Sequence, residues 1–261
     1  MNEFWGRYSE NLSLADLHIH TTSSDGLAPP EYMVDLAHTI GLSAIAITDH
    51  EVIHGALQAK DYCLKHNIPL EVIIGSEIST KNGHLIGLYL QEEIHSGESV
   101  EWTIEQIHKQ NGLVIAPHPL YAFTRSLMKN KVLSIINNQD SGIYFDGFEI
   151  FNGGVFDIRR SNANHNARDL YLDYQNQLGA AIGGTDSHYT TVGRVVTGYE
   201  RNLRQDIEEK RTSVFYRDEK ESLTIFTLAQ QSFASMVIEP SRKFNRFMKR
   251  REKALALKKD S

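Results

Sequence analysis

The sequence predicts an α/β fold: repeated strand–helix units around a mostly parallel sheet, closed into a barrel in preference to a doubly wound sheet. Three observations predict it. Short apolar runs alternate with longer helical patterns along the 261 residues. Seven of those runs read as strands, a number that suits a barrel, although periodicity alone leaves the open sheet as the alternative. Side chains able to bind metal recur at strand ends, where a parallel barrel collects its functional groups. No internal repeat or low-complexity linker divides the chain, so one domain over 1–240 is expected, followed by a basic segment at 241–261.

The elements follow in order. LADLHIH (14–20) is the first strand. Pro29 and Pro30 open a helix at 30–41. Met33, Leu36, Ala37 and Ile40 repeat in it at helical spacing, and Gly41 stops it. SAIAIT (43–48) is the second strand and 54–67 the next helix. LEVIIGSEI (70–78) and HLIGLYL (84–90) are strands, followed by a helix over 99–111. LVIAP (113–117), a helix over 126–138, FDGFEIF (145–151), a helix over 163–178 and GAAIGG (179–184) continue the alternation, and a helix is expected at 203–211.

Composition narrows the function classes. The chain is 41% hydrophobic and 23% charged, as in soluble globular proteins. No apolar run reaches the roughly 18 residues that a membrane span needs. The first twenty residues lack a basic start followed by an apolar stretch, so no signal peptide is read. Cys63 is the one cysteine, which excludes an intrachain disulfide and fits a reducing, cytoplasmic setting. A net charge of −6 gives no general attraction to nucleic acid or anionic membrane. The end of the chain differs: from Arg242 to Lys259 there are nine basic residues and one acid, Glu252. Phe244, Phe247, Met248 and Leu255 share a helical face there. This predicts a packed terminal helix with a solvated basic face, the alternative being a phosphate-attracting arm.

Twelve histidines are many for this length, and their positions are informative. His18 and His20 end the first strand and share a face, because strand side chains alternate with period two. Asp25 follows on the next loop. His50 lies just past the second strand, Glu77 near the end of the third, and His118 just past LVIAP. Asp186 and His188 follow GAAIGG, again two apart. Each alone reads as readily as a surface pair, a helix cap or a solvated acid. Together, at five strand ends, they predict a metal site. The set suits zinc, manganese or iron, and Glu77 can offer one oxygen to each of two ions. His38, His54, His66, His95, His108 and His165 fall in helical or loop stretches and are read as surface residues.

The ordered segments DLHIHTTSSDG (16–26), AITDHE (46–51), GSEIST (75–80), APHP (116–119) and GGTDSH (183–188) resemble the successive motifs of the PHP (polymerase and histidinol phosphatase) family of metal-dependent phosphoesterases. The resemblance spans roughly residues 14 to 200. It implies a distorted, TIM-like (β/α)7 barrel with two or three divalent ions at the C-terminal ends of the strands, manganese first and zinc or iron as alternatives. It assigns His18, His20, Glu77 and Asp186 to one ion, Glu77 and His118 to a second, and Asp25, His50 and His188 to a third. Many members place histidine or cysteine where FEIFN ends; this chain has Asn152, which predicts fewer protein ligands for the second ion. That asparagine is similar to the branch of 3′,5′-nucleoside bisphosphate phosphatases and 5′ exonucleases on short RNA.

The expected chemistry is hydrolysis of a phosphate ester by a metal-bridging hydroxide. Asp186 is the expected proton acceptor, with His188 or His84 serving the leaving oxygen. His84, in NGHLIGL, reads equally as a core histidine. Arg125 is the first choice for gripping phosphate, with Asn152, Arg159 and Arg160 beside it. The leading substrate is a small nucleotide carrying a terminal phosphate. The alternatives are exonuclease action on short single strands, with Tyr121, Phe123 and Tyr189 as stacking surfaces, and a non-catalytic metal-binding module. Eight of nine ligand positions are present, which speaks against the last.

Overall fold

Thr80, Lys81, Asn82 and Gly83 form the shortest link between successive strands and set the barrel's largest departure from a regular βα repeat. Thr80 donates its backbone N–H (2.9 Å) and its hydroxyl (2.6 Å) to the Gly83 carbonyl. Four residues cannot hold a crossover helix, so the strands on either side run antiparallel. A computed structural model describes residues 12–122, 124–138, 142–154 and 162–216. The basic segment at 241–261 and the expected boundary before it lie outside the described residues.

All seven expected strands form: β1 (Ser13–Ile19), β2 (Ala44–Ile47), β3 (Glu71–Ser79), β4 (His84–Leu88), β5 (Leu113–Ala116), β6 (Gly147–Asn152) and β7 (Ala180–Gly184). Helices α1 (Pro30–Thr39), α2 (His54–His66), α3 (Val100–Lys109), α4 (Lys129–Ile136), α5 (Ala163–Tyr174) and α6 (Leu203–Glu208) match the expected ones, all ending earlier. Two further strands follow: β8 (Val195–Tyr199) and β9 (Ser213–Tyr216). The strand order is β7-β6-β5-β4-β3-β2-β1-β8-β9. The pairs β1–β2, β2–β3, β5–β6 and β6–β7 are parallel, while β4, β8 and β9 pair antiparallel with their neighbours. The seven-strand count therefore needs correcting: two short strands beyond the last motif extend the sheet.

Closure uses both ends of β1. Along its first half β8 pairs with it, Ser13 opposite Tyr199 and Ala15 opposite Thr197. The Thr197 hydroxyl also donates to the Gly183 carbonyl of β7 at 2.9 Å, so β8 bridges β1 and β7 at the N-terminal end. At the other end β1 meets the segment after β7 directly. His20 N–H donates to the Ser187 carbonyl at 2.8 Å, and Ile19 forms a parallel bridge with Ser187. The result is a nearly closed barrel.

Alternation sorts the core into an inside and an outside. Ala44 and Ala46 of β2 face in, where they join Ala15, Leu17, Ile73, Ile86, Leu88, Ile115 and Ile182 in a dry floor. Ile45 and Ile47 face out and pack under α1 and α2 with Met33, Val34, Ala56 and Ala59. On the β4–β7 side, Phe148 and Ile150 pack outward against Ile104, Ile107, Val132 and Leu170. The apolar floor fills the N-terminal half of the barrel and leaves the C-terminal end for polar side chains.

Candidate metal centre

Two strand irregularities turn polar residues inward above this floor. In β1, Asp16 pairs with Ile45 and Ile19 with Ile47, so β1 carries one extra residue there. Such a bulge reverses the in–out parity. Odd-numbered Ala15 and Leu17 face the interior below it, and even-numbered His18 and His20 face it above. In β6 the register slips between Glu149 and Phe151 in the same sense. Glu149 below the slip and Asn152 above it therefore share the inner face.

The inward groups converge. Glu77, from β3, stands at their centre. Its Oε1 lies 2.8 Å from His118 Nε2 and 2.8 Å from His84 Nδ1. Its Oε2 lies 3.2 Å from His20 Nε2, 3.4 Å from His18 Nε2 and 3.4 Å from His50 Nδ1. Asp186 Oδ1 is 3.5 Å from His18 Nε2, 3.3 Å from His20 Nε2 and 3.8 Å from His188 Nδ1. Asp25 Oδ2 is 3.1 Å from His188 Nε2 and 3.7 Å from His50 Nε2. All eight residues expected as ligands thus meet in one cluster. Its donor atoms form four overlapping triplets: His18–His20–Asp186, His18–Glu77–His118, His20–Asp25–His188 and His20–His50–Glu77.

The donor set fits divalent cations. His18 Nε2 and His20 Nε2 lie 3.1 Å apart, close enough to share one proton or to bind one cation together. Among the described residues, His84 Nε2 is buried without a hydrogen-bond partner, while His20 Nδ1, His50 Nδ1 and His84 Nδ1 face carboxylate oxygens at 3.5, 3.4 and 2.8 Å without an aligned hydrogen bond. Mixed imidazole and carboxylate donors in threes are what zinc, manganese and iron accept.

The charge balance points the same way. Burial opposes ionisation of Glu77, yet His84, His50, His18 and His118 hold its carboxyl well below the usual range. Asp25 and Asp186 are depressed by their imidazole neighbours against the same burial cost. Burial lowers His18 and His20, but the carboxylates outweigh it and raise both, His20 to about 10. His118 and His188 rise likewise through Glu77 and Asp25. His50 falls, because burial exceeds what Glu77 and Asp25 return. The cavity stabilises positive charge among its acids, whether protons or metal ions supply it.

Outer contacts hold the donors in place. His118 Nδ1 lies 2.9 Å from the Ser126 hydroxyl, His188 Nδ1 2.9 Å from the Asp186 carbonyl, and His18 Nδ1 3.2 Å from Glu149 Oε1. Asp49 accepts the Thr21 N–H (2.8 Å), the Thr21 hydroxyl (2.7 Å) and the Ser24 hydroxyl (2.5 Å), which shapes the loop carrying Asp25. Asp16 accepts from Thr185 and Gly193 and ties β1 to the Asp186 segment. Sequence reasoning passed over Glu149, Asp49 and Asp16. Their common signal was available: each is an acid set within or at the edge of an apolar strand run, next to a ligand motif.

The expected substrate groups are less uniformly placed. His84 is buried against Glu77, its ring 5.1 Å from His50. Arg125 is exposed, and its carbonyl accepts the His84 N–H at 2.7 Å, which sets it beside that histidine. Asn152 is fully buried, with its Nδ2 donating to Glu149 Oε2 at 2.8 Å. Arg159, Arg160 and Phe123 lie outside the described residues. Tyr121 is buried, so its ring is no open platform, whereas Tyr189 stacks on exposed Tyr32 with centroids 5.9 Å apart. No helix among the described residues is long and apolar enough to cross a membrane.

Comparison with known proteins identifies the family. The PHP domain matches residues 16–217. An uncharacterized protein of Methanocaldococcus jannaschii is 38% identical over 149 residues, covering 53% of this chain and 81% of its own length. The 5′-3′ exoribonuclease Rnm of Salmonella typhimurium is 39% identical over 77 residues, 28% of this chain, and the match spans 26% of the exoribonuclease. Its Escherichia coli counterpart is 33% identical over 100 residues, 37% of this chain and 33% of that protein. Among solved structures, a two-domain Bacteroides vulgatus protein with a predicted PHP-like metal-dependent phosphoesterase superposes with a TM-score of 0.63 at 22% identity, over 83% of this chain and 68% of that one.

Proposed function

The chain belongs to the PHP domain family, and from that premise we propose that it is a metal-dependent phosphoesterase acting on a nucleotide. It is an enzyme, a hydrolase of phosphate ester bonds. The observation that carries this reading is Glu77, one buried carboxylate facing five imidazoles, His18, His20, His50, His84 and His118. The eight clustered donors would hold two or three divalent ions, manganese by first choice. Bound there, the ions supply an acidified water and neutralise the charge that builds on the phosphoryl oxygens.

The chain's own residues divide the remaining work. Asp186 takes the proton of the attacking water. Its side chain is 17% exposed against 1% for Asp25 and 2% for Glu77, so it is the acid that reaches the mouth. His84 protonates the leaving oxygen in preference to His188. Both nitrogens of His188 are engaged, by Asp25 and the Asp186 carbonyl, while His84 turns Nδ1 to Glu77 Oε1 at 2.8 Å and leaves Nε2 without a hydrogen-bond partner among the described residues. Arg125, beside His84 at the surface, grips a phosphate. Asn152 shapes the wall through Glu149, and Arg159 and Arg160 are kept as candidates on a following loop.

The leading substrate is a 3′,5′-nucleoside bisphosphate that loses a terminal phosphate. A second reading, 5′-3′ exonuclease action on short RNA, is supported by the likeness to the two exoribonucleases. The test is phosphate and nucleotide release by manganese-reconstituted protein from adenosine 3′,5′-bisphosphate and from a 5′-labelled oligoribonucleotide. Turnover of the bisphosphate with an inert oligomer supports the first reading. Stepwise 5′ release with an inert bisphosphate supports the second, and inertness toward both overturns the proposal.

A further inference from the structure

Glu149 is a charged residue in the middle of an apolar strand, 1% exposed, and its one ion pair among the described residues is with His18. It sits behind the metal cluster and contributes to none of the four donor triplets. Burying a carboxylate there is costly unless every lone pair is used. Oε2 accepts two donors, the His118 N–H at 2.5 Å and the Asn152 amide at 2.8 Å. Oε1 faces His18 Nδ1 at 3.2 Å. The neighbouring strand makes room for this contact: a Cβ on Gly184 would stand 2.6 Å from Glu149 Oε1 and 2.7 Å from His18 Cβ.

We propose that Glu149 is a positioning residue that fixes the ring orientation and tautomer of His18, and couples that choice to the backbone at His118. Oε1 can only accept, so His18 must carry its proton on Nδ1. Its Nε2 lone pair then points at the space shared with His20 Nε2 (3.1 Å), Glu77 Oε2 (3.4 Å) and Asp186 Oδ1 (3.5 Å). Because Oε2 draws on His118 and Asn152 together, one acid aligns groups from β1, β6 and the end of β5. The inference rests on the reading of His18 as a metal ligand.

Glutamine at 149 keeps the shape and breaks the logic. With its NH2 at the Oε2 position, three donors meet with no acceptor. With its NH2 at the Oε1 position it donates to His18 Nδ1, which moves the ring proton to Nε2 and blocks that atom. Either way, E149Q should bind Zn2+ about 10–100-fold more weakly in equilibrium dialysis, the usual cost of losing such an outer partner, with an unchanged circular dichroism spectrum. A second measurement needs no variant: in the Zn2+-loaded wild type, long-range 1H–15N spectra should show His18 protonated on Nδ1. Equal Zn2+ affinity in a folded E149Q, or metal on Nδ1 of His18 in the wild type, overturns the role of Glu149 and leaves the metal site standing. A wild type that binds no Zn2+ overturns both.

Discussion

Gly184 and Glu149 face each other across β6 and β7 so closely that the glycine hydrogen occupies the only room available; a methyl there would stand 2.6 Å from the carboxylate. The small residue in GAAIGG thereby connects a strand-packing feature to the metal cluster.

Gly184→Ala should test that connection. The methyl also meets His18 Cβ at 2.7 Å, an atom next to the backbone that cannot swing aside as a side-chain tip can. Overpacking of this kind costs about 1–3 kcal/mol. Chemical denaturation should register that loss, and Zn2+ affinity should fall with it because His18 is displaced. Unaltered stability would mean that the strands separate easily here.

Asp49→Asn should affect the loop after β1. Asp49 accepts three donors, and an amide can accept at only one atom. A buried donor left unpaired costs about 1–3 kcal/mol. The expected outcome is reduced thermal stability, together with loss of the cation held by His20, Asp25 and His188, read by metal analysis.

Asp206 gives a pH-dependent prediction remote from the site. It accepts from the Glu200 and Arg201 N–H groups and from Arg211. Burial raises its carboxyl, but those partners outweigh it and hold it below the usual value. A depressed acid stabilises the fold above its unfolded pKa, about 3.9, and that contribution is lost as pH falls through the folded value. Asp206→Asn should therefore be less stable than wild type at pH 7, by about 1–3 kcal/mol. The difference should shrink in acid. A gap that stays constant down to pH 2 would refute the assignment.

The basic segment after Glu239 separates the two substrate readings. Its removal should leave kcat/KM for a nucleoside bisphosphate nearly unchanged. If oligomers are the substrate and the segment touches two or three phosphates, their KM should rise and the salt slope should flatten by about 0.7 per contact. A large, oligomer-specific loss would make exonuclease action the better reading.

The seven strands were legible because each is a β-branched or small-residue run bounded by turns, and the five strand-end motifs fell where a parallel barrel puts its chemistry. VVTGY and SVFY were not read as strands: four or five residues interrupted by glycine or lying beyond the last motif carry too little alternation. The antiparallel β4 follows from the length of 80–83, which the sequence displays, but apolar alternation carries no direction. The ligand cluster was legible in its residues and not in its supports. A bulge leaves no mark in composition, so nothing announced that Glu149 and Asn152, three apart, would share a face.

The central claim is that His18, His20 and their six partners hold divalent ions that hydrolyse a phosphate ester. Its most direct test is the double variant His18→Ala/His20→Ala, reconstituted beside wild type in manganese and measured for bound metal and phosphate release. The expected result is a folded protein that has lost most of its metal and all of its phosphatase activity. A double variant that binds metal and turns over substrate as the wild type does would contradict it.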